Sequence, residues 1–370
     1  MAPSSARLRR LVPVGAGLLA LVLVLLVALW RAPDVDRAEV PSPTGPEAVP
    51  YDPAFALRQP IPDDPEIDAR SEAIVARLAR NAAEGRVQVS VDGETPPVYR
   101  VDPGDPTLRV EVGGRTVRFR VPEDAEPGAG QDHPLVLLDR DHPDLGPFVE
   151  LRLYKAEIDR EAGEIRAEGS GLFHYNNDGR RLNPDGTPSL SVPFQGAGTG
   201  SGLSILAGLV RPQEVAAGRI EHAIRFSYSN VDALPGFRAP AVKTDQPKGG
   251  FTRDPDSAMQ IGTRLQLDPD VDCERRTVPG RGASSSETRF LRMFCRALQD
   301  YGMVMLDGTA EGGVFFPLEN IETAPWDVLL GTSREGGYGH IVRSRSTAPD
   351  GLSRDESSGI PWDRLRVLAP

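Results

Sequence analysis

The stretch FVELRLYKAEI, Phe148–Ile158, sets Val149, Leu151 and Leu153 against Glu150, Arg152 and Tyr154 in strict alternation. A period of two puts those groups on opposite faces of a β-strand. TVRFRV, Thr116–Val121, repeats the pattern, with Val117, Phe119 and Val121 alternating with Arg118 and Arg120. Between them HPLVLLD, His133–Asp139, is almost wholly apolar and reads as a central strand. VQVSV, PVYRV and LRVEVGG, starting at Val87, Pro97 and Leu108, add further short strands. Strand following strand, with few helices between, points to a mainly β chain with a β-sandwich or jelly-roll-like body. It argues against a doubly wound nucleotide fold.

Two helices stand out. Over Glu66–Gly85, Ile74, Val75, Leu78 and Ala82 share one face, and Gly85 follows as a stop signal. Over Ser284–Gly302, Phe290, Leu291, Phe294, Ala297, Leu298 and Tyr301 form an apolar stripe; Ser284 and Glu287 have capping-box spacing. MVML, Met303–Leu306, then reads as a buried strand and Asp307-Gly308 as its turn.

The N-terminus sets the compartment. Arg7, Arg9 and Arg10 precede an uncharged run, Leu11–Trp30. Twenty apolar residues at 1.5 Å each span about 30 Å, the thickness of a bilayer core. Residues 1–30 are therefore expected to be an uncleaved signal anchor, with a cleaved signal peptide as the alternative and the following chain outside the cytoplasm. The proline-rich residues 31–65 read as a spacer, and residues 66–370 as one extracytoplasmic β-rich domain. The protein would be held at the cell membrane, or secreted if the segment is cleaved. Cys273 and Cys295 suit an oxidising compartment as one disulfide, two unpaired thiols being the other option. A net charge of -11, with no basic stripe, excludes nucleic acid as a partner.

No complete catalytic signature appears. The glycine run GAGTGSG, Gly196–Gly202, lacks the G-K-[ST] of a phosphate loop and the G-x-G-x-x-G spacing, so no cofactor is expected. Asp139, Asp141, His142 and Asp144 cluster as a solvated turn or a hard-cation site, the turn being preferred; no metal is expected. In LAGLVRPQEVAAGRIEHAIRF, Leu206–Phe226, Arg211-Pro212 starts a short helix and Gly218 ends it. A strand follows, in which His222 shares the apolar side with Ile220, Ile224 and Phe226. His222 there is a core residue or a proton-transfer group. Arg211 and Glu214 form a local ion pair or part of a site. If functional, the segment would line the principal cleft, with Arg211 and Glu214 at its mouth and His222 on its floor.

Three segments together, GLSILAGLVRPQEVAAGRIEHAIRF, MQIGTRLQL and RALQDYGMVMLD, resemble a family of uncharacterised secreted or envelope bacterial proteins. That family carries G-L-P-I-L-P-G-L-V-R-x-x-E-V followed by I-x-H-A-L-R-F. The likeness spans Asp68–Asp307; Ser204 and Ala207 stand where prolines are expected, and GTAEGGVFF also departs from the pattern. The resemblance implies an envelope location and supplies no reaction.

Two functional classes follow. One is a glycan-directed protein that binds or cleaves polysaccharide. Hydrolysis needs two carboxylates about 5–9 Å apart, and Glu150, Glu214 and Asp307 are candidates. β-Elimination needs a base and a charge-neutralising group, for which His222, Tyr301 and Arg211 serve. Trp326, Trp362 and Tyr338 are the aromatics available for sugar stacking. The other class is a non-catalytic envelope interaction or structural protein.

Overall fold

Period-two alternation builds nearly all of the framework. The computed structural model of the chain describes residues 50–176, 181–182, 199–246, 254–310, 312–331, 337–343 and 357–370. The expected anchor and most of the spacer lie outside these; among the described residues no helix is long and apolar enough to cross a membrane. In chain order the strands are β1 (Val87–Ser90), β2 (Val98–Arg100), β3 (Thr107–Val112), β4 (Arg115–Arg120), β5 (Leu135–His142) and β6 (Gly146–Tyr154). Then come β7 (Glu157–Asp159), β8 (Glu164–Arg166), β9 (Gly169–His174), β10 (Arg181–Leu182), β11 (Ile224–Ser229) and β12 (Ala233–Phe237). The last are β13 (Met259–Ile261), β14 (Arg264–Leu267), β15 (Met303–Thr309), β16 (Val314–Pro317) and β17 (Leu365–Val367). The helices are α1 (Ser71–Ala83), α2 (Pro212–Ala217), α3 (Ser286–Asp300), α4 (Trp326–Leu330) and α5 (Gly339–Val342).

The larger sheets run β1-β16-β11-β15-β14-β17, β10-β9-β6-β5-β2 and β4-β3-β8-β7, and β12 pairs with β13. The chain is mainly β with few helices, as expected. Several pairings are parallel, β1 with β16, β11 with β15, β2 with β5 and β3 with β8. Hairpins alone would not produce them. β5 sits inside its sheet between β6 and β2, where its apolar run demands.

Three apolar clusters order the layers. Leu135, Leu137, Val149, Leu151 and Leu153 face Leu108, Val110, Val117 and Phe119, packing the five-stranded sheet on the four-stranded one. On the six-stranded sheet, Phe226, Met303 and Met305 pack against Ile74 and Leu78 of α1 and Phe290 and Phe294 of α3. The third cluster joins the remaining faces: Val136 and Leu138 of β5, Val304 and Leu306 of β15, and the irregular segments carrying Phe55, Leu57, Leu206 and Leu209. That cluster covers the polar face of β6. Glu150 and Arg152 are consequently 0% and 6% exposed.

The helix expectations held for α1, with Gly85 at φ +77, and for the stripe of α3. The cap of α3 is Ser285, one residue later than the sequence suggested; its hydroxyl accepts the Thr288 N–H at 3.1 Å. Glu287 is instead drawn to Arg281 and His340. Asp307-Gly308 is not a turn, because β15 runs on to Thr309 beside β11 with a bulge after Phe226. The disulfide Cys273–Cys295 is formed and ties a 3-10 turn to α3. Closing a loop of that size stabilises the fold by about 3 kcal/mol.

The spacer expected through residue 65 ends earlier. Tyr51, Phe55 and Leu57 are buried, the Leu57 carbonyl accepts the Ala223 N–H at 2.6 Å, and Ile61 N–H donates to Asp300 at 2.8 Å. The packed body is under way by Pro50. A chain started at Glu66 should therefore be markedly less stable than one started at Val40 in urea unfolding. Leu57→Ala alone should cost about 2–5 kcal/mol. Equal midpoints for the two chains would return residues 50–65 to the role of spacer.

Candidate functional site

The cluster around His222 is an interior ion network. Arg211 caps α2, and its N–H donates to Glu214 Oε2 at 3.0 Å; Gly218, at φ 76, ends the helix. The Arg211 guanidinium donates through Nε to Glu319 Oε2 at 2.8 Å. His222 Nδ1–H donates to the Ala223 carbonyl at 3.0 Å, while Nε2 lies 3.2 Å and 3.0 Å from the two Glu214 oxygens. Burial opposes a charge on His222, but Glu214 and the carbonyl outweigh it and hold the imidazole pKa above its usual value. Arg211, Glu214 and His222 are 0%, 2% and 4% exposed. They converge, but within the core and at no cleft mouth or floor. A strand–helix junction whose polar groups answer one another in this way is structural.

Tyr301 stands apart at the end of α3, partly exposed, with its carbonyl taken by Arg264. Trp326, Trp362 and Tyr338 are each 0% exposed and belong to the core, so none offers a stacking surface. The stretch expected as a solvated turn is largely strand: Asp139, Asp141 and His142 end β5, with Asp139 and His142 buried, where His142 Nδ1 accepts the Asp144 and Leu145 N–H groups and Asp139 pairs with Arg120. The open hollow lined by Tyr99, Arg100, Asp102, Asp105, Glu123 and Asp124 shares no residue with these networks.

A second polar group lies where β6 faces β11 and β15. Glu150 accepts hydrogen bonds from Tyr51 Oη, at 2.8 Å, and from Ser204 Oγ. Burial pushes its carboxyl up to about 7, against those hydrogen bonds and the charge of Arg152. On β11, Arg225 is buried and donates to the Ile205 carbonyl, and its Nη2 lies 3.9 Å from Asp307 Oδ2. Burial lowers Arg225 to about 10, so it stays cationic near neutrality.

Asp307 carries this group to the surface, with 30% of its side chain exposed. Its Oδ1 accepts the Gly200 N–H at 3.0 Å and the Gly308 N–H at 3.1 Å. A Cβ on Gly200 would lie 2.8 Å from Asp307 Oδ1 and 2.8 Å from Asp245 Oδ2. Two oxygens that far from one point are at most twice that distance apart. A side chain there would push at least one carboxylate aside, so the present approach of both acids to this backbone needs glycine. Asp245 is exposed and accepts a 3.2 Å hydrogen bond from Gln246 Nε2, which also donates to Asn230 at 2.8 Å. Asp307 is raised to about 6, first by loss of water around it and then by the neighbouring Asp245, against Arg225, the Gly200 N–H and Arg152.

No family model, curated protein or solved structure matches the chain. The motif resemblance therefore brings no activity to the site, and chemistry has to come from its geometry.

Of the residues singled out in sequence, Asp307 and Glu150 fall in this second group, His222, Arg211 and Glu214 in the first, and Tyr301 in neither. Asp245, Tyr51 and Ser204 carry no pattern that marks them. Arg225 did leave a signal, a lone charge in the run IRFSY on a strand flanked by apolar residues.

The ion network has a pH signature. The folded His222 pKa is raised, so its contribution to stability is complete below about 6.5, the unfolded value, and is lost as pH rises through the folded value. His222→Ala should cost about 3–5 kcal/mol at pH 6, as removal of one partner from a buried pair does. The cost should shrink in alkaline urea titrations. A stable variant at pH 6 would show that the network carries no load.

Proposed function

We propose that this protein is a glycan-directed hydrolase held at the outer face of the cell envelope, with Asp307 and Asp245 as its reacting pair. The observation that carries this is the seat of Gly200 against both carboxylates, in a cluster that reaches solvent at Asp307 and Asp245. Asp307, raised to about 6, is the proton donor, and exposed Asp245 the nucleophile.

In this mechanism Asp307 delivers its proton to the glycosidic oxygen as the bond from that oxygen to the anomeric carbon breaks, and the bonding electrons leave with the oxygen. The upper bound on the oxygen separation, twice 2.8 Å, admits the retaining course, in which the groups stand about 5–5.5 Å apart. Asp245 forms an ester bond to the anomeric carbon as the glycosidic bond breaks; water then attacks that carbon while Asp307, now a carboxylate, takes its proton, and the ester bond breaks with its electrons returning to the Asp245 carboxylate. Arg225 keeps Asp307 charged at that stage. The Asn230 and Gln246 amides flank the pair as hydrogen-bonding groups for hydroxyls. The elimination set, His222, Tyr301 and Arg211, is not assembled in the open, so hydrolysis is favoured over a lyase reaction. The apolar Leu11–Trp30 segment would provide the membrane attachment, and the stacked-sheet body the sandwich-like scaffold.

Reducing-end release from a panel of soluble plant, algal and bacterial-wall polysaccharides tests this. Turnover should fall as pH rises through about 6, because the donor must be protonated. Asp307→Asn should lower kcat by about 10²–10⁴, the scale of general acid catalysis. Asp245→Asn should be as severe. Absence of turnover on every polysaccharide, or full activity in Asp307→Asn, would leave the non-catalytic envelope role in its place.

A further inference from the structure

We propose that Gln246 is a positioning residue for Asp245: its amide holds Oδ1 of that acid and leaves Oδ2, beside Gly200, as the oxygen that bonds to the sugar. The proposal deepens the catalytic reading of the Asp307–Asp245 pair and rests on it. Gln246 Nε2 donates to Asp245 Oδ1 at 3.2 Å and to Asn230 Oδ1 at 2.8 Å. The other oxygen, Oδ2, is the one that a Cβ on Gly200 would meet at 2.8 Å, as close as that Cβ would come to Asp307 Oδ1. The carboxylate thus turns one oxygen to the amide and the other to the backbone point it shares with Asp307. In the first step an electron pair of Oδ2 forms the bond to the anomeric carbon. The glycosidic bond breaks, Asp307 gives its proton to the departing oxygen, and Oδ1, still held by Gln246, becomes the ester carbonyl.

The direction of the amide follows from its partners. An ionised carboxylate only accepts hydrogen bonds, so the group that Gln246 turns to Asp245 has to be its NH2. That nitrogen carries two hydrogens, and Asp245 and Asn230 take both. Asn230 therefore meets Gln246 through its carbonyl oxygen. Toward a sugar hydroxyl the amide pair then offers the NH2 of Asn230, the half-buried member of the two.

The scaffold fixes this amide against the proton donor. Gly308 follows Asp307 on β15, and its N–H donates to Asp307 Oδ1 at 3.1 Å. A Cβ on Gly308 would collide with Asn230 Oδ1 and lie 2.6 Å from Gln246 Nε2. The amide pair consequently rests on the same residue whose N–H holds Asp307. Asn230 is set in turn by the end of β11, the strand that carries Arg225. Asp245 lies in an irregular segment and is exposed, so its carboxylate keeps its rotational freedom unless a neighbour holds it. Gln246, only 7% exposed, is that neighbour. Packing does not call for an amide here. Among the described residues its Oε1 is buried without a hydrogen-bond partner, a cost that a methionine of similar length would avoid.

Two measurements on the full chain test this. In the nitrogen–proton NMR spectrum, the side-chain NH2 signals that vanish in Gln246→Met are those of Gln246. They should move in Asp245→Ala, which removes one of the two acceptors; unmoved signals overturn the proposal whatever the turnover. On the polysaccharide that the wild type cleaves best, Gln246→Met should lower kcat by about 10²-fold, the scale of a displaced reacting group, with little change in KM. If Gln246→Met does not fold, Gln246→Glu, which keeps the shape but turns an oxygen to Asp245, decides by the same split. An unaltered kcat, with or without a raised KM, overturns the positioning role, while wild-type turnover and its loss in Asp307→Asn keep the catalytic reading. A wild type that cleaves no polysaccharide removes that reading, and the proposal with it.

Discussion

The structure depends on how one strand face is buried. β6 alternates as a surface strand does, but its polar side meets the third apolar cluster instead of water. A carboxylate and a guanidinium in such a place are stable only if their hydrogen-bonding and charge demands are met locally. Tyr51 and Ser204 meet those of Glu150, and the requirement fixes two irregular segments, residues 50–61 and 199–210, against the sheet. Those segments carry Leu57 and Gly200, so the same constraint that closes the core also positions the backbone between Asp307 and Asp245.

The two polar networks differ in what they leave over. Around His222 the cation is matched by Glu214, Arg211 by Glu319, and the group is sealed. Around Asp307 the balance is incomplete: the Gly200 and Gly308 N–H groups reach its Oδ1 and Asp245 stands close by, while Arg225 stays 3.9 Å away. A sealed ion pair contributes to specificity of the fold. A partly exposed acid whose proton is retained to about 6 can exchange it with something that enters.

Much of the framework was legible in the sequence because alternation and helical periodicity act locally. β4, β5, β6 and the stripes of α1 and α3 follow directly from apolar spacing. What alternation cannot tell is whether a polar face meets water or another layer, which is why the burial of Glu150 and Arg152 was invisible. Nor does it give the parallel pairing of β11 with β15, which brings Arg225 to Asp307 from 82 positions earlier in the chain. The spacer was misjudged for a related reason. Proline-rich composition reports backbone stiffness, whereas Tyr51, Phe55 and Leu57 are anchored by partners far along the chain.

The site was half legible. Asp307 and Glu150 are carboxylates on recognisable strands, but Asp245 lies in KTDQP, a stretch without periodicity, and is assigned only by its approach to Gly200. That approach explains why Gly200 stands beside the acids although no phosphate pattern is present. A side chain at position 200 would displace at least one of the two carboxylates and disturb the hydrogen bond from the Gly200 N–H to Asp307, which opposes the rise of its pKa. The glycine therefore tunes an acid by letting a main-chain donor come close.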